Sequence, residues 1–401
     1  MDDSIMVPEM SEKARALAFT SIGHFANDGV FLLFTLLIVY YNGVGVSVTL
    51  LGTLAIVYNI IDGATAPKIG AFVGRSDKAV YMSLGIALEG IAIAAFAASF
   101  AVGAYMYWLL IVGIVLLGVG QAFYHPIGSS VLRHVYGDKA PSAMGINGSV
   151  GSVGRALFPS LITVAVVAWG VSIGLGSMAL IMFALAVILF FGLRVFEHSS
   201  YIVKHGKPEK SMDYATTRKV HSHFISTLTS ITLLKSMFMA GTTIFIGAYI
   251  NSMFHSTVIV GIFLTLSFLP AILGQLVFGK VTERMGGRYA ITMTTASLVP
   301  IFAIFMLTNY LPFLILTYSA YAFFAYTGFP VILGYIGQVI PERHMTAIGA
   351  RIWGIGTVLG GAAGIAAATA LLDMGLSMQQ MLWSMIIFGI IATALLPRLK
   401  R

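Results

Sequence analysis

Gly118-Val-Gly-Gln-Ala-Phe-Tyr-His-Pro-Ile-Gly-Ser-Ser-Val-Leu-Arg133, a short charged turn, then Ser142-Ala-Met-Gly-Ile-Asn-Gly-Ser-Val-Gly-Ser-Val-Gly-Arg-Ala-Leu-Phe-Pro159 is the passage that settles what kind of molecule this is. Two apolar stretches of helical length flank a basic turn with Arg133, His134 and Lys139. The first contains a His-Pro pair, and proline inside an apolar helix bends it and frees a carbonyl because it lacks the donor. The second carries glycines at 145, 148, 151 and 154, a stripe along which another helix can approach closely. Arg155 follows in the same apolar run, and a charge at membrane depth is costly enough to mark function by default. A hinged helix, a smooth face and a buried charge point to a machine that moves a polar solute across a bilayer.

The rest of the chain has the same character. Of its 401 residues 58% are hydrophobic and 9% charged, where a soluble domain has roughly 25% charged residues. Too little polar material is present to cover a water-facing surface, so the chain reads as an integral membrane protein. It has no cysteine, which excludes disulfides, thiolate metal sites and cysteine catalysis. The first apolar run is too long for a signal-peptide core and reads as a retained helix.

A spanning helix needs roughly 20 apolar residues. Twelve such runs are predicted, near 16–41, 47–70, 79–101, 105–134, 140–169, 172–194, 226–251, 256–279, 288–308, 311–338, 343–371 and 377–397. The basic residues lie at alternate turns: Lys68, Arg75 and Lys78 after run 2, Arg133 and Lys139 after run 4, Lys280, Arg284 and Arg288 after run 8, Arg343 after run 10. The other turns, near 42–46, 101–103, 170–172, 251–256, 308–311 and 373–377, hold no Lys or Arg. That asymmetry predicts cytoplasmic termini and a multi-pass protein of the plasma or inner membrane. It also accounts for the positive charge as topology, so no nucleic-acid partner is implied. A polar stretch splits the runs six and six, giving an N-terminal half over 1–195, a cytoplasmic linker over 196–224 and a C-terminal half over 225–401.

The halves repeat. Gly70-Ala-Phe-Val-Gly-Arg75-Ser-Asp77-Lys78 corresponds to Gly279-Lys-Val-Thr-Glu283-Arg284-Met-Gly-Gly-Arg288 at an offset of 279 − 70 = 209, and Ser47-Val-Thr-Leu-Leu-Gly52 to Ser256-Thr-Val-Ile-Val-Gly261 at the same offset. Ser142-Ala-Met-Gly145 matches Thr346-Ala-Ile-Gly349 at 204. Repeated halves place a substrate site between them near the midplane, worked by rocking one half on the other. The fold class is therefore an all-α membrane protein of twelve transmembrane helices in two pseudo-symmetric six-helix halves.

Twelve helices, a long middle loop and the Gly-x-x-x-acid-Arg-x-Gly-x-Arg turn after run 8 resemble the major facilitator superfamily. In that family the turn latches the cytoplasmic side, which implies gating roles for Glu283, Arg284 and Arg288, with Arg75, Asp77 and Arg133 from the first half. Asp62, beside Lys68, joins the same gate. His24-Phe-Ala-Asn27-Asp28, Phe123-Tyr-His125-Pro126, Ser130-Val-Leu-Arg133 and the glycine-rich fifth run are similar to the fosmidomycin-resistance branch, which implies a proton-driven exporter of a drug or metabolite. Arg155 stands where that branch has proline after Gly154, and Ile127 where a carboxylate follows His-Pro.

Asp28 lies 13 residues after Arg15, about 20 Å along a helix and near the bilayer centre. A carboxylate there can carry a proton; the alternative is a structural ion pair. His24 and Asn27 are on neighbouring faces and are its candidate partners. Arg155 is the candidate counter-charge or an anion contact, because a guanidinium fork fits carboxylate and phosphate; a static pair with Asp28 or Glu89 competes with that reading. Arg351 sits at the repeat equivalent of Asn147 (351 − 204), and an arginine in one half alone suits a substrate better than packing. His125 titrates near neutrality and can relay protons, or simply bond a carbonyl. Glu89 is a second proton-coupling candidate, with a structural role as its alternative. Tyr321 and Trp353 are the aromatics assigned to the pocket, while Lys235 is read as snorkelling to the interface.

The function these residues predict is a proton-coupled antiporter working by alternating access and exporting a small polar or anionic compound. Asp28 carries the proton, Arg155 and Arg351 contact the anion, and proton and cargo compete through one ion pair. Two rivals are an uptake symporter for an organic anion or sugar and a divalent-metal exporter using His24, Asp28 and His125. The Gly274-to-Lys280 stretch has the spacing of a phosphate loop but ends in Val281, so no nucleotide, cofactor or enzymatic activity is expected. The expected partners are a small-molecule substrate, protons and lipid, with the chain acting as a monomer.

Overall fold

A computed structural model describes residues 11–73, 78–194 and 214–399, without the side chains of 70–73, 138, 141, 329, 342, 343, 346 and 347. Arg75, Asp77 and residues 195–213 of the linker lie outside that description. Among the described residues, eleven stretches are long and apolar enough to cross a membrane, and the longest, Ser142–Leu193, is two helices meeting at Gly170. Gly170 has φ 79° and ψ 166°, a backbone conformation that glycine adopts without a Cβ penalty. Twelve spans result: α1 (Glu12–Gly43), α2 (Val48–Val73), α3 (Lys78–Ala101), α4 (Met106–Tyr136), α5 (140–169), α6 (171–193), α7 (Ser222–Phe254), α8 (Thr257–Met285), α9 (Gly287–Met306), α10 (Leu311–Val339), α11 (342–373) and α12 (Met378–Leu395). All-helical spans are what a bilayer demands, since every backbone polar group must be satisfied within its own segment.

The repeat read from the sequence is visible in the caps. Ser47 Oγ accepts from Leu50 N at 3.2 Å and Ser256 Oγ accepts from Ile259 N at 3.3 Å, so α2 and α8 start on equivalent serines. Proline decides where helices break. Pro300 and Pro330 cannot donate to the carbonyls of Ala296 and Tyr326, and α9 and α10 are interrupted at those places. In α11 the turns from Trp353 to Leu359 widen to π geometry, a form that is rare and common at functional sites. The stretch predicted as linker is not wholly irregular, because Tyr214–Val220 is a short helix.

The halves meet along α5 with α8, α2 with α11 and α1 with α7. At the end of the bundle remote from the termini they are sealed. Thr35 Oγ1 donates to the Thr243 carbonyl at 3.3 Å, and residues 33–41 of α1 are buried throughout. The glycine stripe of α5 divides between two neighbours: Gly148 faces Gln275 of α8 in the other half, and Gly151 and Gly154 face α1. A Cβ at Gly154 would run into the Phe25 carbonyl and one at Gly151 into His24, so these two glycines dock α5 on α1 inside the N-terminal half.

Candidate functional site

Between the halves lies a cavity of about 310 Å³. Its lining reaches from mid-depth toward the end that carries the termini, with Asp62 from α2, Leu132 from α4, Met144 from α5, Ile332 from α10 and Trp353 from α11. Its floor is a charge held between rings. The Arg155 guanidinium sits over Phe31 at 4.4 Å and over Tyr326 at 5.2 Å, one ring from each half, a geometry in which the ring quadrupole attracts the cation.

Close docking of α5 on α1 brings Arg155 to Asp28. Arg155 Nη2 donates to Asp28 Oδ2 at 2.6 Å, and the other carboxylate oxygen lies 3.4 Å from His24 Nε2. His24 Nδ1 is 2.7 Å from Asn147 Oδ1 and its ring stacks on Tyr124 at 4.6 Å. Tyr124 donates its hydroxyl to the same Asn147 oxygen at 2.8 Å, while Asn147 Nδ2 donates to Thr20 Oγ1 at 3.2 Å. Gln121 Nε2 donates to the Asn27 carbonyl at 3.0 Å, and Gln121 Oε1 accepts from the Tyr58 hydroxyl. Asn27 Oδ1 and Arg155 Nε are left open. The bonded residues form a network spanning α1, α2, α4 and α5, and buried networks of this kind fix one geometry when their members are satisfied.

The structure thus unites His24, Asn27, Asp28, Asn147 and Arg155, and adds His125, which is exposed in the wall with its ring edge-on to His24 at 5.5 Å. Trp353 lines the cavity. Four expectations shift. Arg351 is exposed and outside the lining, at the end of the regular stretch of α11 before the π turns; the repeat offset placed it by depth and could not give the rotation of the helix. Tyr321 is buried among Phe238, Phe302 and Tyr318, and Tyr326, at the helix break, takes the place in the wall. Asp62 lines the cavity, and no ion pair joins it to Lys68 among the described residues. Glu89 is fully buried one helix behind the wall, packed on Gly120, with no hydrogen-bond partner among the described residues.

The turn between α8 and α9 is well built. Gly286 has φ 89°, and Gln338 of α10 clamps it by accepting from Gly287 N at 2.7 Å and donating to the Thr282 carbonyl at 2.9 Å. Glu283 and Arg284 are exposed, Arg288 is half-buried and Arg133 is exposed at the end of α4. Among the described residues no ion pair joins Glu283, Arg284 or Arg288 to the other half, as fits an end of the bundle where the halves stand apart.

The C-terminal wall holds what the sequence reading missed. Lys235 of α7 lines the cavity, is 5% exposed, and its Nζ has no partner among the described residues. It does not snorkel to the interface. Thr232 and Thr357 line the same wall, and their hydroxyls also lack partners. The available signal was depth: α7 begins at Ser222, so Lys235 is 235 − 222 = 13 residues into it, the same count that separates Asp28 from Arg15.

Comparison with known proteins bears on this geometry. A family model described as Major Facilitator Superfamily matches residues 17–255. The chain is 22% identical over 338 residues to the fosmidomycin resistance protein of Escherichia coli (strain K12), covering 82% of this chain and 79% of that protein. The crystal structure of a bacterial homologue of the human lysosomal transporter Spinster, inward-facing and occupied, superposes with a TM-score of 0.69 at 14% identity, over 96% of this chain and 95% of that one. The peptide transporter POT superposes with a TM-score of 0.67 at 15% identity, over 96% and 94%.

Proposed function

Because the chain belongs to the major facilitator superfamily, whose members are transporters and not enzymes, we propose that it is a proton-coupled exporter of a small polar or anionic compound, with the Asp28–Arg155 pair as the coupling element. The pair at 2.6 Å on the cavity floor carries this reading: adding a proton to Asp28 removes the counter-charge of a guanidinium that sits between aromatic rings from both halves. The relative named for fosmidomycin resistance supports export. We place the protein in the cell membrane with cytoplasmic termini, acting as a monomer of two halves, 1–195 and 225–401, so that the cavity opens inward.

The sign of coupling needs care. Protonating Asp28 releases Arg155, and an anion that used the released guanidinium would bind together with the proton, which is symport. Antiport requires a cargo that rests on the intact pair and is lost when the floor comes apart. Arg155 is therefore the floor and the proton's counter-charge, not the cargo's first contact. His24 and His125 flank the carboxylate as its route to the cavity, and Glu89 stands behind it in reserve.

A thermal-shift screen of anions, sugars, amphiphilic cations and metals at two pH values identifies a cargo; an affinity that falls as pH falls supports antiport, and one that rises supports symport. In liposomes Asp28→Asn is expected to lose gradient-driven flux of that cargo while keeping exchange. Full retention of driven flux refutes the assignment. A divalent-metal cargo has one observation behind it, since ligand atoms of His24, Asp28 and His125 lie within 4.8 Å of one another. A guanidinium already on that carboxylate opposes a cation, and equilibrium metal binding before and after His125→Ala separates the readings.

A further inference from the structure

We propose that the C-terminal wall is the seat of an oxyanion headgroup, gripped by the Lys235 ammonium and the Thr232 and Thr357 hydroxyls. This rests on the transporter reading above and adds the cargo's class, a small organic anion with carboxylate or phosphate oxygens.

A lysine in a wall this deep costs free energy unless something pairs with it. Lys235 lies about 20 Å from the start of α7, is buried, and has no protein partner among the described residues. Two threonine hydroxyls of the same wall are in the same condition. An ammonium offers three N–H donors and each threonine one O–H; three unengaged donor groups on residues that line one cavity suit a group of acceptor oxygens bearing negative charge.

The seat is rigid. Gly356 and Gly360 let α11 close on α7: a Cβ at Gly356 would meet Thr232 Cβ at 2.8 Å, and one at Gly360 would meet the Leu233 carbonyl at 2.7 Å. That packing fixes Thr232 beside the π turns that present Thr357, and sets the rotation of α7 that aims Lys235 inward. The charged and titratable groups facing Lys235 across the cavity are Asp28, Arg155, His24 and His125 of the N-terminal network and Asp62 of α2. Asp28 is committed to Arg155. Asp62 forms no ion pair with Lys235 among the described residues, so the ammonium's charge is available to a ligand.

The test is the thermal unfolding midpoint of the purified full-length protein in inorganic phosphate or benzoate, against chloride at equal ionic strength. The oxyanions are expected to raise the midpoint beyond chloride. Lys235→Gln should weaken that apparent affinity roughly 10- to 100-fold, the range for losing a hydrogen bond to a charged group. Lys235→Arg should retain it, Asp62→Asn should retain or strengthen it, and the Thr232→Val/Thr357→Val double variant should weaken it less than Lys235→Gln. An absent oxyanion-specific shift in the unsubstituted protein, or an equal shift in Lys235→Gln, overturns the proposal. Where Lys235→Gln gives no folded protein, an unchanged shift in the double threonine variant overturns it instead. An oxyanion shift that survives while Asp28→Asn keeps full driven flux leaves the seat standing and removes the coupling reading; the reverse pattern does the opposite.

Discussion

The cavity's two walls solve the problem of polarity at membrane depth in opposite ways. On the N-terminal side charge meets counter-charge and donors meet acceptors, from Thr20 through Asn147, Tyr124 and His24 to Asp28 and Arg155. On the C-terminal side Lys235, Thr232 and Thr357 are left with nothing to bond among the described residues. A closed network is cheap to bury and expensive to break, while open donors are expensive to bury and recover that energy only when a ligand arrives. In the function proposed above, the first wall stores a proton-sensitive arrangement and the second receives cargo.

The sharpest way to break this contrast is Arg155→Met. It strands the Asp28 carboxylate, and removing one partner of a buried pair costs about 3–5 kcal/mol. A large fall in the unfolding midpoint is expected, mostly recovered by adding Asp28→Asn; a midpoint unchanged by Arg155→Met would show that the pair is not structural. Next in size is Asn147→Ala, which takes the shared acceptor from Tyr124 and His24 and should cost about 1–3 kcal/mol. The smallest effect is the most telling. Thr357→Val removes a hydroxyl with no hydrogen-bond partner among the described residues, so stability should move by less than about 0.5 kcal/mol while oxyanion affinity drops. Equal losses for Asn147→Ala and Thr357→Val would erase the difference between the walls.

Much of this was legible before any coordinates. The turn near Gly170, the matching segments at Ser47 and Ser256 and the twelve spans follow from apolar run lengths, punctuation and the repeat. Asp28 and Arg155 drew attention as charges in apolar runs. The errors have a common cause. Lys235 was read as lying near a helix end because the apolar run starts near 226, whereas α7 begins on the polar Ser222 and carries the lysine a turn deeper. Tyr321 and Tyr326 are indistinguishable by composition; the break that Pro330 imposes turns Tyr326 toward Arg155 and leaves Tyr321 in the aromatic core. Arg351 shared a depth with Asn147 and not a direction.

How many times the chain crosses, where it divides and which charges must lie deep are written along one dimension, because a bilayer tests each segment for apolar length and unsatisfied backbone without regard to its neighbours. Which of those charges find each other is not. Asp28 and Arg155 are 127 residues apart, and their contact exists because glycines let α5 settle on α1 at one rotation, while a similar packing of α11 on α7 leaves Lys235 without a partner among the described residues. Only the assembled bundle could tell a paired charge from a waiting one.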